Sequence, residues 1–353
     1  MSQDTATPRR KDAHLELCAK GDVEPEENDT LLSEVHLVHC ALPEMALPEV
    51  DVSAQLCGKR LAHPLIVTGM TGGTERAGQV NRDLASLAEE YGLAFGVGSQ
   101  RAMSEDASRA VSFQVREVAP TALVIGNIGI TQATQLGVDG VRRLVDAIGA
   151  DGIAVHLNPA QELVQPEGDR DFRGGYELLR TLATYFGASL LVKETGCGLS
   201  PAVVRRLVEC GVQTVDVSGL GGTSWVRVEQ LRADGVAAGV AEAFSGWGIP
   251  TAAAVASVRR AVGDRVTLIA SGGIRTGLEV AKCLALGADL AGMALPLLRA
   301  QQQGGRAGAK QALEVVLQGV RHALLLTGVA RVRDLRHQKV VVTGRLKDWL
   351  HTL

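Results

Sequence analysis

The stretch VTLIASGGIRTGLEVAKCLALGADLAGMAL (266–295) contains one complete structural unit. VTLIA is a short run of β-branched and aliphatic residues, and SGG breaks it. GLEVAKCLALGA then places apolar residues at helical spacing, and LAGMAL is a second β-type run. A strand, a helix and a strand in so few residues imply two parallel strands with the helix crossing one face. The same alternation extends back to about residue 60. The further β-type runs are PLIVTGM (64–70), LAFGVGSQ (93–100), ALVIGNIG (122–129), GIAVHLN (152–158), SLLVKETG (189–196) and TVDVSG (214–219). With VTLIASGG (266–273) and LAGMAL (290–295), the runs number eight, which is the number that closes a barrel.

Helix-like stretches lie between them: NRDLASLAEEYG, DGVRRLVDAIGA, GYELLRTLATYFG, PAVVRRLVECG and TAAAVASVRRAVG, several ending in glycine as helix C-termini commonly do. Residues 219–265 are too many for one loop and helix, so an insertion of roughly 30 residues is expected after the sixth strand. A doubly wound open sheet would want G-x-G-x-x-G after its first strand, and TGMTGGTERAG (68–78) lacks that spacing. The expected architecture is therefore α/β, a (β/α)8 TIM barrel with N- and C-terminal extensions. It forms a single domain over 1–353: an N-terminal extension at 1–60, the barrel at 61–300 and a C-terminal helical extension at 301–353.

The 353 residues are 46% hydrophobic and 21% charged, as expected of a globular chain with a large core, and one barrel of about 250 residues with extensions accounts for the length. A formal charge of -3 gives no general attraction to nucleic acid or anionic membranes, so an anionic ligand must be captured locally. Cys18, Cys40, Cys57, Cys197, Cys210 and Cys283 are scattered without metal-ligand spacing, which suits reduced thiols in the cytosol. The polar N-terminus predicts no secretion signal, and the apolar runs are too short to span a bilayer. A cytoplasmic protein without a nucleic-acid or membrane partner is expected. Barrels of this kind often associate, and a homo-oligomer, tetramer or octamer, is expected.

Polar residues at the carboxyl end of a strand buried on both faces are costly unless they serve a ligand. Here seven strands end in Thr68, Ser99-Gln100-Arg101, Asn127, His156 and Asn158, Lys193-Glu194-Thr195, Asp216 and Ser218, and Ser271-Gly272-Gly273. Barrel active sites are built from such positions. Period-two alternation points His156 together with Asn158, and Lys193 together with Thr195. Lys193, inside an apolar run, must meet an anion or an electron-rich ring, the alternative being a salt bridge to Asp216 on the neighbouring strand. SGGIRTG (271–277) offers backbone amides followed by a helix N-terminus, a phosphate cradle to which Arg275 could add a charged donor. GLGGTSW (219–225), with Thr223, is either a second phosphate-lining loop or a flexible turn. Glu162, just past a strand end, could hold Mg2+ against substrate phosphates. Arg9, Arg10, Lys11 and His14 form a basic cluster before the barrel, otherwise a solvated tail.

Taken together, RKDAH (10–14), TGMTGGT (68–74), GVGSQRA (96–102), NIG (127–129), HLNPAQELVQPEGDRDF (156–172), VKETGCGLS (192–200), DVSGLGGTSW (216–225) and SGGIRTGLEVAKCLALGA (271–288) resemble the type II isopentenyl-diphosphate isomerases over essentially the whole chain. HLNPAQELVQPEGDRDF and GGTSW are the most specific of these segments. The resemblance implies an FMN enzyme that interconverts isopentenyl and dimethylallyl diphosphate in isoprenoid biosynthesis, with Mg2+ on the diphosphate and NADPH as reductant. It also implies that the flavin is reduced during turnover and serves as acid and base.

Thr68, Gly69, Met70, Thr71, Ser99, Asn127, Lys193, Ser218, Thr223, Gly272, Gly273, Arg275, Ala294 and Leu295 then look like flavin contacts. Arg10, Lys11, Ser99, Gln100, Arg101, His156, Asn158 and Gln161 look like substrate contacts. Glu162 looks like the metal ligand, and Lys193, His156, Gln161 and Trp225 like the catalytic set. Thr195, Cys197 and the form of NIGITQ (127–132) depart from the usual pattern and leave the local pocket shape open. The rivals are a hydride-transferring FMN oxidoreductase, which would need a His–Arg pair near the last strands, and a non-catalytic flavin- or phospholigand-binding protein.

Overall fold

The computed structural model describes residues 6–25 and 29–353, with side chains from residue 11 onward. Eight parallel strands close a barrel: β1 (Leu65–Val67), β2 (Ala94–Gly96), β3 (Leu123–Gly129), β4 (Gly152–Leu157), β5 (Leu190–Glu194), β6 (Thr214–Asp216), β7 (Thr267–Ala270) and β8 (Leu290–Met293). Each pairs with its sequence neighbours, and β8 returns to β1 through Ala291↔Leu65 and Met293↔Val67. All eight lie within the β-type runs of the sequence.

The helices are α1 (Ala6–Lys20), α2 (Glu75–Tyr91), α3 (Ile130–Ile148), α4 (Gly175–Phe186), α5 (Pro201–Glu209), α6 (Thr251–Val262), α7 (Gly277–Ala285), α8 (Leu295–Leu326) and α9 (Gly344–Thr352). Their ends carry local signals. Thr74 accepts from the Ala77 amide at the start of α2, and Gly92 closes that helix at φ 61°. Thr276 and Glu279 form a capping box on α7. The second βα unit has only the short helix Arg101–Glu105 and a 3-10 turn, Ala107–Ser112. The expected insertion follows β6 as two short helices, Trp225–Gln230 and Gly235–Ala243.

Alternation along the strands divides the core into two. Ile66, Ala94, Leu123, Ile125, Ala154, Leu191, Ile269 and Leu290 cluster together inside the barrel. Their immediate neighbours, such as Val67, Phe95, Val124, Val155, Val192 and Leu268, pack with the surrounding helices. Carrying the interior set two residues further along each strand reaches Thr68, Asn127, His156, Lys193, Ser271 and Gly292. The lower interior is therefore apolar and the upper interior polar.

Two features of the extensions differ from expectation. Ala54–Leu56 and Lys59–Leu61 form a hairpin whose Leu56 and Leu61 join the interior cluster and seal the barrel's amino-terminal end. The C-terminal segment is not purely helical, because Val340–Val342 pairs antiparallel with Val35–Leu37. Nor does it begin at 301, since α8 runs through that position and bends at Gly304–Gly305. Among the described residues, no helix is long and apolar enough to cross a membrane.

Candidate active site

The polar strand ends open into two adjoining chambers at the carboxyl end of the barrel. Both are lined by Gly69, Met70, Lys193, Thr195 and Trp225, so they meet at those side chains.

The first chamber lies over β6, β7, β8 and β1. Thr68, Ser218, Thr223, Gly272, Gly273, Arg275, Ala294 and Leu295 line it, together with Ser271. Its floor is two glycine-rich loops packed backbone against backbone. A Cβ on Gly272 would lie 2.0 Å from the Gly219 carbonyl oxygen, and one on Gly273 would lie 2.3 Å from that of Gly221. Both glycines also have positive φ, 100° and 75°, a conformation that costs any other residue. Among the described residues, no acceptor meets the amides of Gly272, Gly273 or Ile274. Thr251, which the sequence reading missed, supports this floor from below, its hydroxyl donating to the Gly272 carbonyl at 2.6 Å. Ser218 holds φ 40°, a strained value for a non-glycine, and donates its amide to Asp216 Oδ1 at 3.1 Å. Bare amides, small polar side chains and Arg275 suit the phosphate of a mononucleotide.

The second chamber lies over β2 to β5. Ser99, Arg101, Asn127, His156, Asn158, Gln161 and Glu162 line it, together with Lys11 and His14 from α1. Asn127 donates through Nδ2 to the Val97 carbonyl at 3.0 Å, which turns its Oδ1 toward His156 Nδ1, 2.8 Å away. That assigns the proton to His156 Nδ1 and leaves Nε2 as acceptor. Burial, then the charges of Lys193 and Lys11, push His156 down to about 3, so the ring is neutral.

Lys193 donates to the Glu194 carbonyl at 2.5 Å and faces both chambers. It pairs in register with Asp216, whose carboxylate opposes the lowering of the Lys193 pKa that burial causes. The two do not form an ion pair, and Asp216 Oδ1 accepts instead from Ser271 Oγ at 2.7 Å. The Glu194 carboxylate turns away from the chambers. Its Oε2 accepts from the successive amides of Thr195, Gly196, Cys197 and Gly198 at 2.6, 2.7, 2.5 and 3.2 Å.

Glu162 is buried. Its two oxygens accept one hydrogen bond each, from Asn158 Nδ2 at 2.9 Å and the Asp169 amide at 2.8 Å, leaving acceptor capacity on both. Among the described residues, no group of three or more His, Cys, Asp or Glu could hold a metal alone. A single carboxylate nevertheless fits Mg2+ shared with substrate phosphates, which keeps water and phosphate oxygens as its other ligands.

Some predicted positions fall elsewhere. Gln100 is fully buried rather than lining the chamber, donating to the Leu144 carbonyl at 2.9 Å and accepting from the Asn127 amide at 2.9 Å. It sits where the short helix starts, beyond the strand, so period-two reasoning no longer applies. Thr71 lies in a small adjoining cavity beneath α1 rather than in the first chamber. Ser99 and Asn127 line the second chamber, beside the Gly69, Met70 and Lys193 that both chambers share. The Arg9 and Arg10 side chains lie outside the described residues.

Glu229, fully buried on Trp225–Gln230, was missed by the sequence reading. His14 Nε2 lies 2.9 Å from its Oε1, Gln161 Nε2 donates to the same oxygen at 3.4 Å, and Arg232 donates to Oε2 at 2.5 Å. The available signals were helical spacings: His14 follows Lys11 by three residues, and Glu229 follows Trp225 by four.

Residues 175–342 match the family model described as FMN-dependent dehydrogenase. Among solved structures, the chain is similar to a mandelate oxidase with an FMN adduct, at TM-score 0.65 and 18% identity over 93% of this chain and 95% of that one. It is also similar to a flavocytochrome b2 variant with sulfite bound, at TM-score 0.71 and 17% identity over 95% and 84%. The fold is thus that of the FMN-type (β/α)8 barrels. More specific are relatives named isopentenyl-diphosphate delta-isomerase. One, from Metallosphaera sedula, is 46% identical over 97% of this chain and 94% of its own. Another, from Ignicoccus hospitalis, is 45% identical over 97% and 96%. This chain belongs to the isopentenyl-diphosphate delta-isomerase family, whose members are isomerases.

Proposed function

We propose that this chain interconverts isopentenyl and dimethylallyl diphosphate, using reduced FMN, Mg2+ on the diphosphate and NADPH as reductant. One observation carries the reading: a phosphate-type cradle and a separate polar chamber meet at Lys193, Thr195 and Trp225. A mononucleotide and a second anionic ligand can therefore be held side by side.

Gly272, Gly273, Ser218, Thr223 and Arg275 would hold the phosphate of FMN, with Thr68, Gly69, Met70, Ala294 and Leu295 along the rest of the chamber. When bound and reduced, the flavin supplies the acid–base group, its N5. Lys193 would favour an anionic ring by keeping its ammonium at the junction, the electrostatic share a protein contributes to cofactor chemistry.

Lys11, Arg101, His156, Asn158 and Gln161 would bind the diphosphate. Glu162 would anchor Mg2+ against it. Binding energy from this remote end would fix the alkene, which is a very weak base and must be tightly positioned to exchange a proton. Trp225 would offer its ring face to positive charge developing on the hydrocarbon. Among the described residues lining the chambers, the histidines are His14 and His156, both on the substrate side. The His–Arg pair that hydride abstraction would need near the last strands is therefore lacking among these residues, which favours isomerisation.

The test is the absorbance spectrum of the purified protein, followed by an isomerase assay with and without dithionite. A yellow protein that isomerises isopentenyl diphosphate only when reduced is expected. A colourless protein that cannot be reconstituted with flavin, or equal turnover when oxidised, would overturn the reading.

A further inference from the structure

Val23 and Thr30, which follow α1 in the chain, hold on to the cradle loops and the helix beside them. The Val23 carbonyl accepts the Ser224 amide at 2.8 Å and the Thr30 carbonyl accepts that of Ala252 at 3.0 Å. Thr30 also packs so tightly on Gly221 and Gly273 that a Cβ on either would meet its atoms at 2.4 and 2.3 Å. Between these contacts the Glu24 carboxylate bridges two guanidiniums. Oε1 accepts from Arg275 Nη2, and Oε2 from Arg299 Nη1 at 3.1 Å.

Arg299, on α8, is itself committed to α1. Its Nε donates to the Cys18 carbonyl at 3.2 Å and its Nη2 to the Gly21 carbonyl at 3.0 Å. These carbonyls lie at the C-terminal end of α1, where a cation meets both free acceptors and the negative end of the helix dipole. Burial raises the Glu24 carboxyl, but the two guanidiniums outweigh it and hold it below its ordinary value. A continuous chain of charge-assisted bonds thus runs from the α1 terminus through Arg299 and Glu24 to Arg275. The middle of α1 carries Lys11 and His14 into the second chamber.

We propose that Glu24 is a positioning residue that links the cofactor cradle to α1, so that seating α1 over the substrate chamber and aiming Arg275 at the cradle occur together. Glu24 touches neither chamber. It acts through Arg275 on one side and through Arg299 and α1 on the other. The substrate half of this proposal rests on the isomerase reading, whereas the link between Glu24 and α1 does not.

The full chain carrying Glu24→Gln is compared with the parent in two measurements. Hydrogen exchange across residues 11–20 is expected to quicken several-fold, while the barrel strands keep their protection. KM for isopentenyl diphosphate is expected to rise roughly tenfold, the scale of one lost charge-assisted bond, with kcat within about twofold. Glu24→Asp should recover part of both effects, and adding Arg299→Gln to Glu24→Gln should change α1 exchange by less than the sum of the single changes. Unchanged exchange over α1 together with unchanged KM would overturn the proposal. So would a loss of kcat with KM unchanged, which would mark a general structural role. If the purified chain neither holds flavin nor isomerises, the functional reading has failed, and exchange at α1 still decides the link.

Discussion

His14 Nε2 lies 2.9 Å from Glu229 Oε1, joining residues 215 positions apart. The contact brings together the N-terminal helix, the insertion after β6 and, through Gln161, the segment after β4. Arg232 completes the set at 2.5 Å. Burial is the largest influence on both groups, lowering His14 and opposing the lowering of Glu229, which its cationic and hydrogen-bonding neighbours bring about. Removing this fully buried carboxylate strips three donors of their shared acceptor. Glu229→Ala should lower stability by about 2–3 kcal/mol and raise KM for isopentenyl diphosphate. Urea denaturation with steady-state kinetics checks this, and an unchanged denaturation midpoint would remove Glu229 from the frame of the site.

Glu194 gives a pH-dependent prediction. Burial raises its carboxyl to about 7, against the amides of Cys197, Gly196 and Thr195 and the charge of Lys193, which pull it down. A carboxyl raised on folding binds its proton more tightly in the native state. Its contribution is therefore complete below the ordinary value of 4.5 and is lost as pH rises toward about 7. Glu194→Gln lacks this loss. The stability of the variant relative to the parent should improve across that window, by at most about 1.4 kcal/mol per pH unit. Parallel denaturation profiles at pH 5 and pH 8 would contradict it.

Lys193 sits where the two chambers meet, so its removal should affect chemistry more than fold. Lys193→Ala is expected either to bleach the purified protein or to abolish turnover, with the far-ultraviolet spectrum of the parent. A yellow, active variant would place the flavin elsewhere.

The barrel was legible because each strand is a short apolar run with a polar carboxyl end, repeated eight times between helical segments. Period two then aims His156, Asn158, Lys193 and Thr195 into the chambers without further information. What stayed hidden depends on contacts distant in sequence. Val35–Leu37 pairs with Val340–Val342 through a three-residue register that neither segment announces. Leu56 and Leu61 read as an extension although they plug the barrel. Glu229 resembles any polar residue on a short helix until His14 arrives from the other end of the chain. Gln100 stands in a run of site residues, yet its side chain is turned inward onto the Leu144 carbonyl, the Asn127 amide and the Met103 sulfur.

Glu162 should act only through the metal. Its carboxylate lines the substrate chamber but not the cradle. Glu162→Gln is therefore expected to retain flavin with an unchanged spectrum and to require much higher Mg2+ for activity. Titrating Mg2+ against rate tests this, and a variant with the parent's Mg2+ dependence would remove the metal role.

The cradle makes the sharpest demand on a single position. Gly273 has φ 75°, and an added Cβ would lie 2.3 Å from the Gly221 carbonyl oxygen. Alanine there costs about 1–2 kcal/mol for the backbone conformation alone. In addition, one glycine loop must move off the other, because neither contacting backbone can yield as a flexible side chain would. Gly263 provides the comparison, with φ 57° and nothing within 4 Å of its would-be Cβ. Gly263→Ala should therefore show only the conformational cost and bind FMN as the parent does. Gly273→Ala should lose more stability and bind FMN at least tenfold more weakly, since its amide lies at the proposed phosphate. Fluorescence titration of FMN against both variants separates the two effects. Equal FMN affinity in Gly273→Ala and Gly263→Ala would mean that the phosphate is held elsewhere.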